Sequence, residues 1–458
     1  MSKFHSGIKK EEILGILERK DSKIHFVGVG GVGMYSLCRL THSLGYEVSG
    51  SDREDSELCL ELRKIGCKIT VGHVAAAAAG AALIVYTLAV SEDNPELLYA
   101  ESEGICAVSR AEYLGAVMTL YKERIGVSGS HGKSTTTAML HSIFEQAGKS
   151  PTTLLGAKQK GGSPLSIGER EYLIYESCEY KDSFLRFSPT IALFTNLEYD
   201  HVDYFKSFES LCDSFLLAMN SAPIVIINSD DENLRELIKK LKRRPITFAE
   251  SAEADVRGFI THRKNGYYNL EIFHTGAEFC VKLSVAGRHN AKNALAAAAA
   301  ALTCGISHTE IKAALENFSG IERRLEIIGE SWGAKVYYDY AHHPTEIRCA
   351  VEAVREMCEG KLCVVFKPHT YSRTAQFMHE FADALSLADE VILCEISAIR
   401  EEKINGVSSE KIAKRIGKKA VVLKDAEVPG AIAKSGACAV IIMGAANLES
   451  VKRGIIGK

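Results

Sequence analysis

The stretch "HFVGVGGVGMYSLCRL" (residues 25–40) passes from an apolar strand pattern through a glycine cluster into a helical pattern. Gly28, Gly30 and Gly33 fit the spacing G-x-G-x-x-G, and Asp52 follows further along the chain. Such glycines allow a tight turn and let the backbone approach a pyrophosphate, which the N-terminus of the helix attracts. The pattern therefore predicts a phosphorylated nucleotide as ligand, of which NAD is one example, although glycine clusters also occur at turns that bind nothing.

The composition is that of a globular protein that acts on small molecules. The chain has 458 residues, of which 46% are apolar and 25% charged, and its formal net charge is −3. This length is enough for about three domains with a sizeable core. Lysines and arginines are scattered and form no basic stripe, so we expect neither nucleic acid nor an anionic membrane as a partner.

The cysteines and the lack of long apolar segments indicate a cytoplasmic protein. The 13 cysteines are dispersed, form no C-x-x-C pair and are odd in number, so we expect reduced and mostly buried thiols. The segment "MSKFHSGIKKEEILGILERK" (residues 1–20) has no apolar core of signal-peptide type. The sequence also contains no apolar run of about 18 residues that could cross a membrane.

Short β-branched runs alternate with helical patterns and predict three α/β domains, with bounds 1–120, 121–320 and 321–458. The first and last domains are expected to be Rossmann-like, with a parallel sheet and crossover helices. The central one is expected to be an ATPase-type domain with a P-loop, and it contains a hairpin pattern at residues 266–283. The alanine tract at residues 75–82 fits either a short helix or a loop.

The predicted strands of the two outer domains can be placed individually. Those of the first domain are expected at residues 24–29, 47–51, 83–87 and 105–108. Those of the last domain are expected at residues 336–338, 362–366, 390–394, 420–423 and 439–443.

A second glycine loop, "SGSHGKST" (residues 128–135), lies between a strand pattern and a helical pattern. Lys133 and Ser134 follow Gly132 as in the end of G-x-x-x-x-G-K-[ST], although Val127 stands where that motif has its first glycine. In such loops, backbone N–H groups bind phosphate oxygens, the lysine meets the β- and γ-phosphates, and the hydroxyl binds Mg²⁺. The loop therefore predicts ATP as a ligand.

Two phosphate sites in one chain narrow the choice of reaction. Hydride transfer does not need ATP, and an ordinary ATPase does not need a second nucleotide site. The pair of loops favours an ATP-driven reaction on a substrate that itself carries a nucleotide.

Several motifs, taken together, resemble the Mur ligases, the ATP-dependent amide-forming enzymes of bacterial cell-wall precursor synthesis. The loop "GSHGKSTTT" is similar to the ATP loop of that family. The other similar motifs are "GVGGVGM" followed by "GSD", "GRHNAKNALAA", "DYAHHPTEI" and "PHTYSRT", in this order along the chain.

The resemblance implies that L-alanine is joined to the carboxylate of UDP-N-acetylmuramate, the first amino-acid addition in peptidoglycan precursor synthesis. The N-terminal domain would hold the UDP end, the central domain ATP with Mg²⁺, and the C-terminal domain the amino acid. A carboxylate is a poor acyl donor, so it would first accept the γ-phosphoryl group of ATP. The amine of L-alanine would then attack the resulting acyl phosphate.

The resemblance also implies a metal site and a phosphoryl-transfer site. Lys133 would neutralise charge on the transferred group, and Ser134 would bind Mg²⁺. Glu176, in "YESCEYKDSF", and His201, in "NLEYDHVDYF", stand at the metal-binding positions of the family. The acidic segment departs from the family pattern at Ser177, Cys178 and Tyr180.

Further positions of the motifs imply contacts with the three substrates. For the UDP-sugar they are Gly28, Gly30, Gly31, Val32, Gly33 and Asp52. For ATP they are Gly129, Ser130, His131, Gly132, Lys133, Ser134, Thr135, His289, Asn290, Asn293, Arg324 and Asp339. Tyr340, His342 and His343 would lie near the amino acid, and His369 and Arg373 near the reacting carboxylate.

The sequence leaves three alternative functions open. One is a related ligase that attaches a whole tripeptide to UDP-N-acetylmuramate, and another is a nucleotide-binding homologue without turnover. The third is an NAD-dependent oxidoreductase, which the second phosphate loop disfavours. The sequence is compatible with a monomer or a homodimer.

Overall fold

The computed structural model describes residues 10–159, 162–398 and 401–457, and these form three β-sheets with surrounding helices. Residues 1–9 of the segment examined for a signal peptide lie outside the described residues. No helix within the described ranges is both long and apolar enough to cross a membrane.

The first sheet has five parallel strands in the order β3-β2-β1-β4-β5. Its strands are β1 (Lys23–Val27), β2 (Glu47–Asp52), β3 (Lys68–Val71), β4 (Leu83–Tyr86) and β5 (Cys106–Ser109). Its helices are α1 (Lys10–Leu17), α2 (Val32–Ser43), α3 (Glu57–Lys64), α4 (Pro95–Glu103) and α5 (Arg110–Val117). The sequence pattern did not predict β3, because this edge strand is only partly buried. The alanine tract contains a single 3₁₀ turn, Ala75–Ala78.

The second sheet has ten strands in the order β15-β14-β13-β12-β11-β10-β6-β9-β7-β8. They are β6 (Glu123–Ser128), β7 (Pro151–Leu154), β8 (Leu165–Ser166), β9 (Glu169–Glu176), β10 (Ile191–Phe194), β11 (Ile224–Asn228), β12 (Ile246–Ala249), β13 (Val256–Lys264), β14 (Tyr267–His274) and β15 (Ala277–Lys282). The predicted hairpin is confirmed, since β14 and β15 pair antiparallel.

The helices of this middle part of the chain are α6 (Lys133–Gln146), α7 (Phe208–Ser221), α8 (Glu232–Ile238), α9 (Arg288–Thr303) and α10 (His308–Asn317). The alanine-rich helix α9 packs against α6, the helix that follows the second glycine loop. Alanine side chains allow this close approach, and those at 294 and 296–301 are almost completely buried.

The third sheet has six strands in the order β16-β17-β21-β18-β19-β20, parallel except for the pair β16 and β17. Its strands are β16 (Glu326–Ser331), β17 (Ala334–Asp339), β18 (Leu362–Phe366), β19 (Glu390–Leu393), β20 (Ala420–Val422) and β21 (Ala439–Met443). Its helices are α11 (Pro344–Met357), α12 (Tyr371–Gln376), α13 (Met378–Leu385), α14 (Ser409–Ile416), α15 (Val428–Ser435) and α16 (Glu449–Ile456). The central strands β18 and β21 are apolar at every position because both faces of the sheet are covered.

The chain divides into two compact units, and this division differs from the grouping of strands into sheets. The first unit contains residues up to 128 with 148–193 and 217–225, and the second contains 129–147, 194–216 and the residues from 226 onward. The domain bounds 1–120, 121–320 and 321–458 therefore stay predictions.

The expectation that all cysteines are reduced thiols is wrong for one pair. Cys358, which follows α11, and Cys438, which precedes β21, form a disulfide, and their Cα atoms are 6.8 Å apart. These residues are 80 positions apart, and such a pairing cannot be deduced from spacing alone. The other cysteines form no disulfide in the described part of the chain, and each is buried or partly buried.

Candidate active site

The second glycine loop connects β6 to α6, whose first residue is Lys133. Gly132 precedes this helix with φ 80°, and a Cβ at this position would lie 2.4 Å from Oδ1 of Asn293. Gly129 has φ 140°, and its Cβ would lie 2.1 Å from Oγ1 of Thr195. Both positions therefore require glycine for their backbone conformation and for space.

The lysine of the loop is held by the loop itself. Nζ of Lys133 donates hydrogen bonds to the carbonyl oxygens of Gly129 and Ser130, the latter at 3.1 Å. Ser134, the next residue, is 7% exposed at the N-terminus of α6, where backbone N–H groups lack intrahelical acceptors. The loop thus brings together a cation, a hydroxyl and the N-terminus of a helix, which is the chemistry that binds polyphosphates.

His131 connects the loop with residues from other segments through its backbone and its ring. Its backbone N–H donates to Oδ1 of Asn196 at 2.8 Å. Its ring lies between two carboxylates, with Nε2 3.3 Å from Glu198 and Nδ1 3.5 Å from Glu346. Burial alone would lower the pKa of His131, but the contacts with Glu198 and Glu346 raise it to about 9. The loop therefore carries an imidazolium at neutral pH.

Glu198 connects the loop with the residues that begin α11. Its carboxylate accepts a hydrogen bond of 2.6 Å from Oγ1 of Thr345 and lies 3.6 Å from Nδ1 of His343. Burial opposes its charge, but His131 and Thr345 lower the pKa of Glu198 to about 2. The rings of His131 and His343 are 4.5 Å apart, so α11 and the loop meet in one polar cluster.

A cavity of about 320 Å³ lies beside this cluster, within the second unit. Phe248, Ala296, Cys349 and Ala350 form an apolar part of its lining. The following predicted ATP contacts also line it: His131, Gly132, Thr135, His289, Asn290, Asn293, Arg324 and Asp339. A lining that combines apolar side chains with polar groups is typical of a ligand pocket, and the role of these residues in ATP binding stays a prediction.

Two titratable groups of the cavity have shifted pKa values. Burial, with a smaller contribution from Arg324, lowers the pKa of His289 to about 4, so its imidazole is neutral at pH 7. Burial raises the pKa of Asp339 to about 6, although Arg324 and two backbone N–H groups oppose this shift. Those N–H groups belong to Leu325 and Ala341 and lie 2.7 Å from the carboxylate.

A buried ion pair lies among the predicted catalytic residues. Nε and Nη2 of Arg373 donate to Oδ1 of Asp200, at 3.1 and 2.7 Å. His342 belongs to the same surroundings, and its Nδ1 lies 3.2 Å from Glu346. His201 follows Asp200 with φ 53°, and its N–H donates to the Asp200 carboxylate at 2.7 Å.

Tyr340 and His369 occupy the segments that follow β17 and β18. The ring of Tyr340 is covered by the guanidinium groups of Arg323 at 4.6 Å and Arg324 at 5.4 Å. His369 forms a parallel bridge with Ser397. The assignment of these residues to the amino acid and to the reacting carboxylate stays a prediction.

In the first unit, the first glycine loop connects β1 to α2. The carbonyl oxygen of Ser51, on β2, accepts hydrogen bonds from the N–H groups of Gly28 at 2.8 Å and Val29 at 3.1 Å. The next N–H, of Gly30, donates to Oδ2 of Asp52 at 2.7 Å. Asp52 therefore holds the loop, and its contact with the UDP-sugar stays a prediction. The loop leads to the start of α2 at Val32.

A second cavity of about 310 Å³ lies at this helix N-terminus. Its lining includes Gly31, Gly33, Arg110, Glu176 and Cys178. Arg110 is a cation at the place where the sequence predicts a diphosphate, and the sequence pattern did not reveal it because it begins α5, far from the glycine motif.

The predicted metal ligands divide between the two units. Ser134 and His201 belong to the second unit, whereas Glu176 belongs to the first and accepts a hydrogen bond from Gly156 N–H. Ser134 and Glu176 offer the oxygen donors that Mg²⁺ prefers. A different group, His131, Glu198 and His343, places three ligand atoms within 4.8 Å, but an ion pair accounts for that geometry.

Several residues of the site escaped the sequence interpretation. Asn196, Glu198 and Asp200 follow the buried strand β10, and polar residues at the carboxyl end of a strand are a recognisable signal. Glu346 lies inside the motif "DYAHHPTEI" but was given no role. Its contacts with His131 and His342 could not be read from local sequence.

Comparisons with known proteins agree along most of the chain. Three family models match, described as Mur ligase family, catalytic domain (residues 23–122), Mur ligase middle domain (127–301) and Mur ligase, glutamate ligase domain (323–451). A UDP-N-acetylmuramate–L-alanine ligase of Caldicellulosiruptor bescii is 39% identical over 398 residues, covering 85% of this chain and 87% of the relative. The enzyme of that name from Aquifex aeolicus is 39% identical, with coverage of 90% and 91%.

Solved structures give the same result. The crystal structure of UDP-N-acetylmuramate–alanine ligase from Thermotoga maritima superimposes with a TM-score of 0.80 at 30% identity, covering 94% of this chain and 98% of that one. A murein peptide ligase from Psychrobacter arcticus shares the fold, with a TM-score of 0.71 at 24% identity and coverage of 94% and 97%.

Proposed function

The chain belongs to the Mur ligase family, and we propose that it joins L-alanine to the carboxylate of UDP-N-acetylmuramate with ATP as the energy source. The observation that carries this proposal is the similarity, at 37–40% identity over most of the chain, to ligases that bear this name. Two phosphate-binding loops in one chain support it, because the reaction uses ATP and a nucleotide-linked acid.

The reaction proceeds in two steps, phosphoryl transfer and amide formation. An oxygen of the substrate carboxylate attacks the γ-phosphorus of ATP, the bond to ADP breaks, and an acyl phosphate forms. The amine of L-alanine then attacks the acyl carbon through a tetrahedral intermediate. Phosphate leaves, the amide remains, and the amine proton is released.

The second unit supplies the groups for phosphoryl transfer. Lys133 exchanges its hydrogen bonds with loop carbonyls for contacts with the transferred phosphoryl group. The imidazolium of His131 is paired with Glu198 and Glu346 and holds the loop against them. A cation next to the transferred group stabilises the negative charge that develops there. The cavity beside the loop receives the nucleoside, with the neutral ring of His289 near the base and Asp339 near the ribose.

The first unit receives the UDP end of the substrate. The diphosphate lies at the N-terminus of α2, close to Gly31, Val32 and Gly33, and Arg110 adds a positive charge on the wall of the same cavity. The glycine motif thus binds the nucleotide part of a substrate, and NAD is not required.

Among the predicted metal ligands, Ser134 and Glu176 offer the oxygen donors that Mg²⁺ prefers, and His201 offers a nitrogen donor. When bound, Mg²⁺ lowers the repulsion between the phosphates and the attacking carboxylate. We expect the segment after β17 to contact the amino acid through Tyr340, His342 and His343. The α-amino group of free alanine has a pKa of about 8, so part of it is the nucleophilic free amine at neutral pH.

The expected setting is the cytoplasm, with the protein as a monomer or homodimer. The experiment that tests the proposal measures phosphate release from ATP, Mg²⁺ and UDP-N-acetylmuramate, first without an amino acid, then with L-alanine, then with the tripeptide. Release that depends on L-alanine supports the proposal. Release only with the tripeptide, or none with either, contradicts it.

A further inference from the structure

A polar network is buried in the first unit, behind the first glycine loop. Its members come from separate elements: His25 from β1, Ser51 from β2, His73 from the turn after β3, and Glu96 from α4. His25, Ser51 and Glu96 are completely buried, and His73 is 21% exposed. Burying a carboxylate is costly unless it is paired, so this placement requires compensating interactions.

Glu96 is the centre of the network. Its Oε2 accepts a hydrogen bond of 2.6 Å from Oγ of Ser51 and lies 3.3 Å from Nδ1 of His73. Its Oε1 faces Nε2 of His25 at 3.8 Å, and Nδ1 of that ring lies 2.8 Å from Oγ of Ser49. One carboxylate therefore connects β1, β2, α4 and the turn after β3.

The proton positions in the network follow from the charge of Glu96. Burial works against this charge, but His25, Ser51 and His73 keep the pKa of the carboxyl below its usual range. An ionised carboxylate only accepts hydrogen bonds, and a hydroxyl has one proton to donate. Ser51 thus donates to Glu96, and Nδ1 of His73, 2.9 Å from Oγ of Ser51, carries a proton.

Ser51 connects Glu96 with the glycine loop. Its side chain is held by Glu96, and its carbonyl oxygen holds the N–H groups of Gly28 and Val29. The adjacent residue Asp52 holds the N–H of Gly30. These contacts hold the N–H groups of Gly28, Val29 and Gly30, and so fix the path of the loop into α2. The first N–H groups of α2 lack intrahelical acceptors.

We propose that Glu96 is a positioning residue for the nucleotide-sugar diphosphate, which acts by holding Ser51 and thereby the glycine loop at the start of α2. This inference rests on the proposed function, which identifies the ligand of the loop. Glu96 is completely buried against the inner strands β1 and β2 and acts through Ser51. Its effect is confined to binding at the first unit, because ATP binds through residues of the second unit.

The test compares two substitutions of Glu96. Glu96→Gln keeps an oxygen that accepts from Ser51, whereas Glu96→Leu has similar volume and no acceptor. The leucine variant is expected to raise KM for UDP-N-acetylmuramate by about tenfold, the effect of one hydrogen bond to a charged group. Its KM for ATP and its kcat at saturating nucleotide sugar should stay within about twofold of wild type, and glutamine should restore most of the lost affinity.

A matched control separates positioning from general loss of stability. Oγ1 of Thr41 and Oη of Tyr113 lie 2.8 Å apart in the same unit, and both side chains are completely buried. Thr41→Val should lower the melting temperature and leave KM for the nucleotide sugar unchanged. Calorimetric titration with UDP alone provides a second readout, in which Glu96→Leu should show the same loss of affinity.

The outcomes distinguish this inference from the proposed function. If the wild-type protein binds UDP and Glu96→Leu weakens this binding, positioning by Glu96 is supported even if L-alanine-dependent turnover fails. If the wild type turns over and Glu96→Leu leaves KM for the nucleotide sugar unchanged, or raises KM for ATP equally, the inference is overturned. The inference would also be overturned if Glu96→Leu and Thr41→Val raised KM for the nucleotide sugar equally.

Discussion

Arg373 donates two hydrogen bonds to a single oxygen of Asp200, and both side chains are almost completely buried although 173 residues separate them. Burial opposes the charge of Asp200, but Arg373 and nearby histidines hold the pKa of this carboxyl far below its usual range. The pair is therefore ionised, and it joins the segment after β10 to α12.

Removing one partner of this pair should be more harmful than removing both charges. Arg373→Met leaves an unpaired buried carboxylate and should lower the free energy of unfolding by about 3–5 kcal/mol. The double variant Asp200→Asn/Arg373→Met should recover part of this loss. Urea denaturation measures both, and a single variant within about 0.5 kcal/mol of wild type would show that the pair is exposed to water in solution.

Gly132 should not tolerate a side chain. In Gly132→Ala the new Cβ would meet Asn293, in addition to the strain of a positive φ, so ATP affinity should fall by about tenfold or more. Gly148, after the same helix α6, has φ 65° and open space around it, which makes Gly148→Ala a matched control. The control should lose about 1 kcal/mol of stability and keep its ATP affinity, as measured by calorimetric titration. Equal ATP affinities of the two variants would contradict the loop assignment.

The charge on His131 should make stability depend on pH in the alkaline range. Its pKa in the folded protein is about 9, above the ordinary value of 6.5. A raised pKa contributes stability that is fully present below about pH 6.5 and is lost as the pH rises through about 9. The unfolding free energy of wild type should therefore fall relative to that of His131→Asn between these values. Parallel pH profiles of the two proteins would show that His131 is neutral.

Lys133 should be required for turnover and not for binding of the nucleotide sugar. Lys133→Ala removes the cation next to the transferred phosphoryl group and should reduce kcat by about 100-fold or more. Its affinity for UDP should match that of wild type, because the glycine motif of the first unit is unchanged. Normal phosphate release by this variant would mean that the loop does not hold the γ-phosphate of ATP.

Local sequence patterns are sufficient to predict many of the strands in this fold. The strands expected at residues 362–366 and 439–443 occur with those bounds, because a strand buried on both faces is a continuous apolar run. Strand β3 lacks such a run, since it lies at a sheet edge and is partly exposed. The alternation of strands and helices predicted parallel outer sheets, and the order of strands within them comes from the structure.

Contacts between distant segments explain most of what the sequence did not predict. One short sequence motif contains the whole phosphate loop. The sequence therefore identifies Gly132, Lys133 and Ser134 as residues of that loop. The partners of His131 come from the segment after β10 and from α11, and Glu346 is more than 200 positions away along the chain. The disulfide and the network around Glu96 also depend on long-range packing, which periodicity does not encode.

The central claim is that an acyl phosphate connects ATP cleavage to amide formation, and one isotope measurement tests it directly. UDP-N-acetylmuramate labelled with ¹⁸O in its carboxylate is incubated with ATP, Mg²⁺ and L-alanine, and the released phosphate is analysed by mass spectrometry. Because the attacking oxygen leaves with the phosphoryl group, each phosphate should carry one labelled oxygen and the amide product should retain the other. Unlabelled phosphate formed together with the amide would contradict this mechanism.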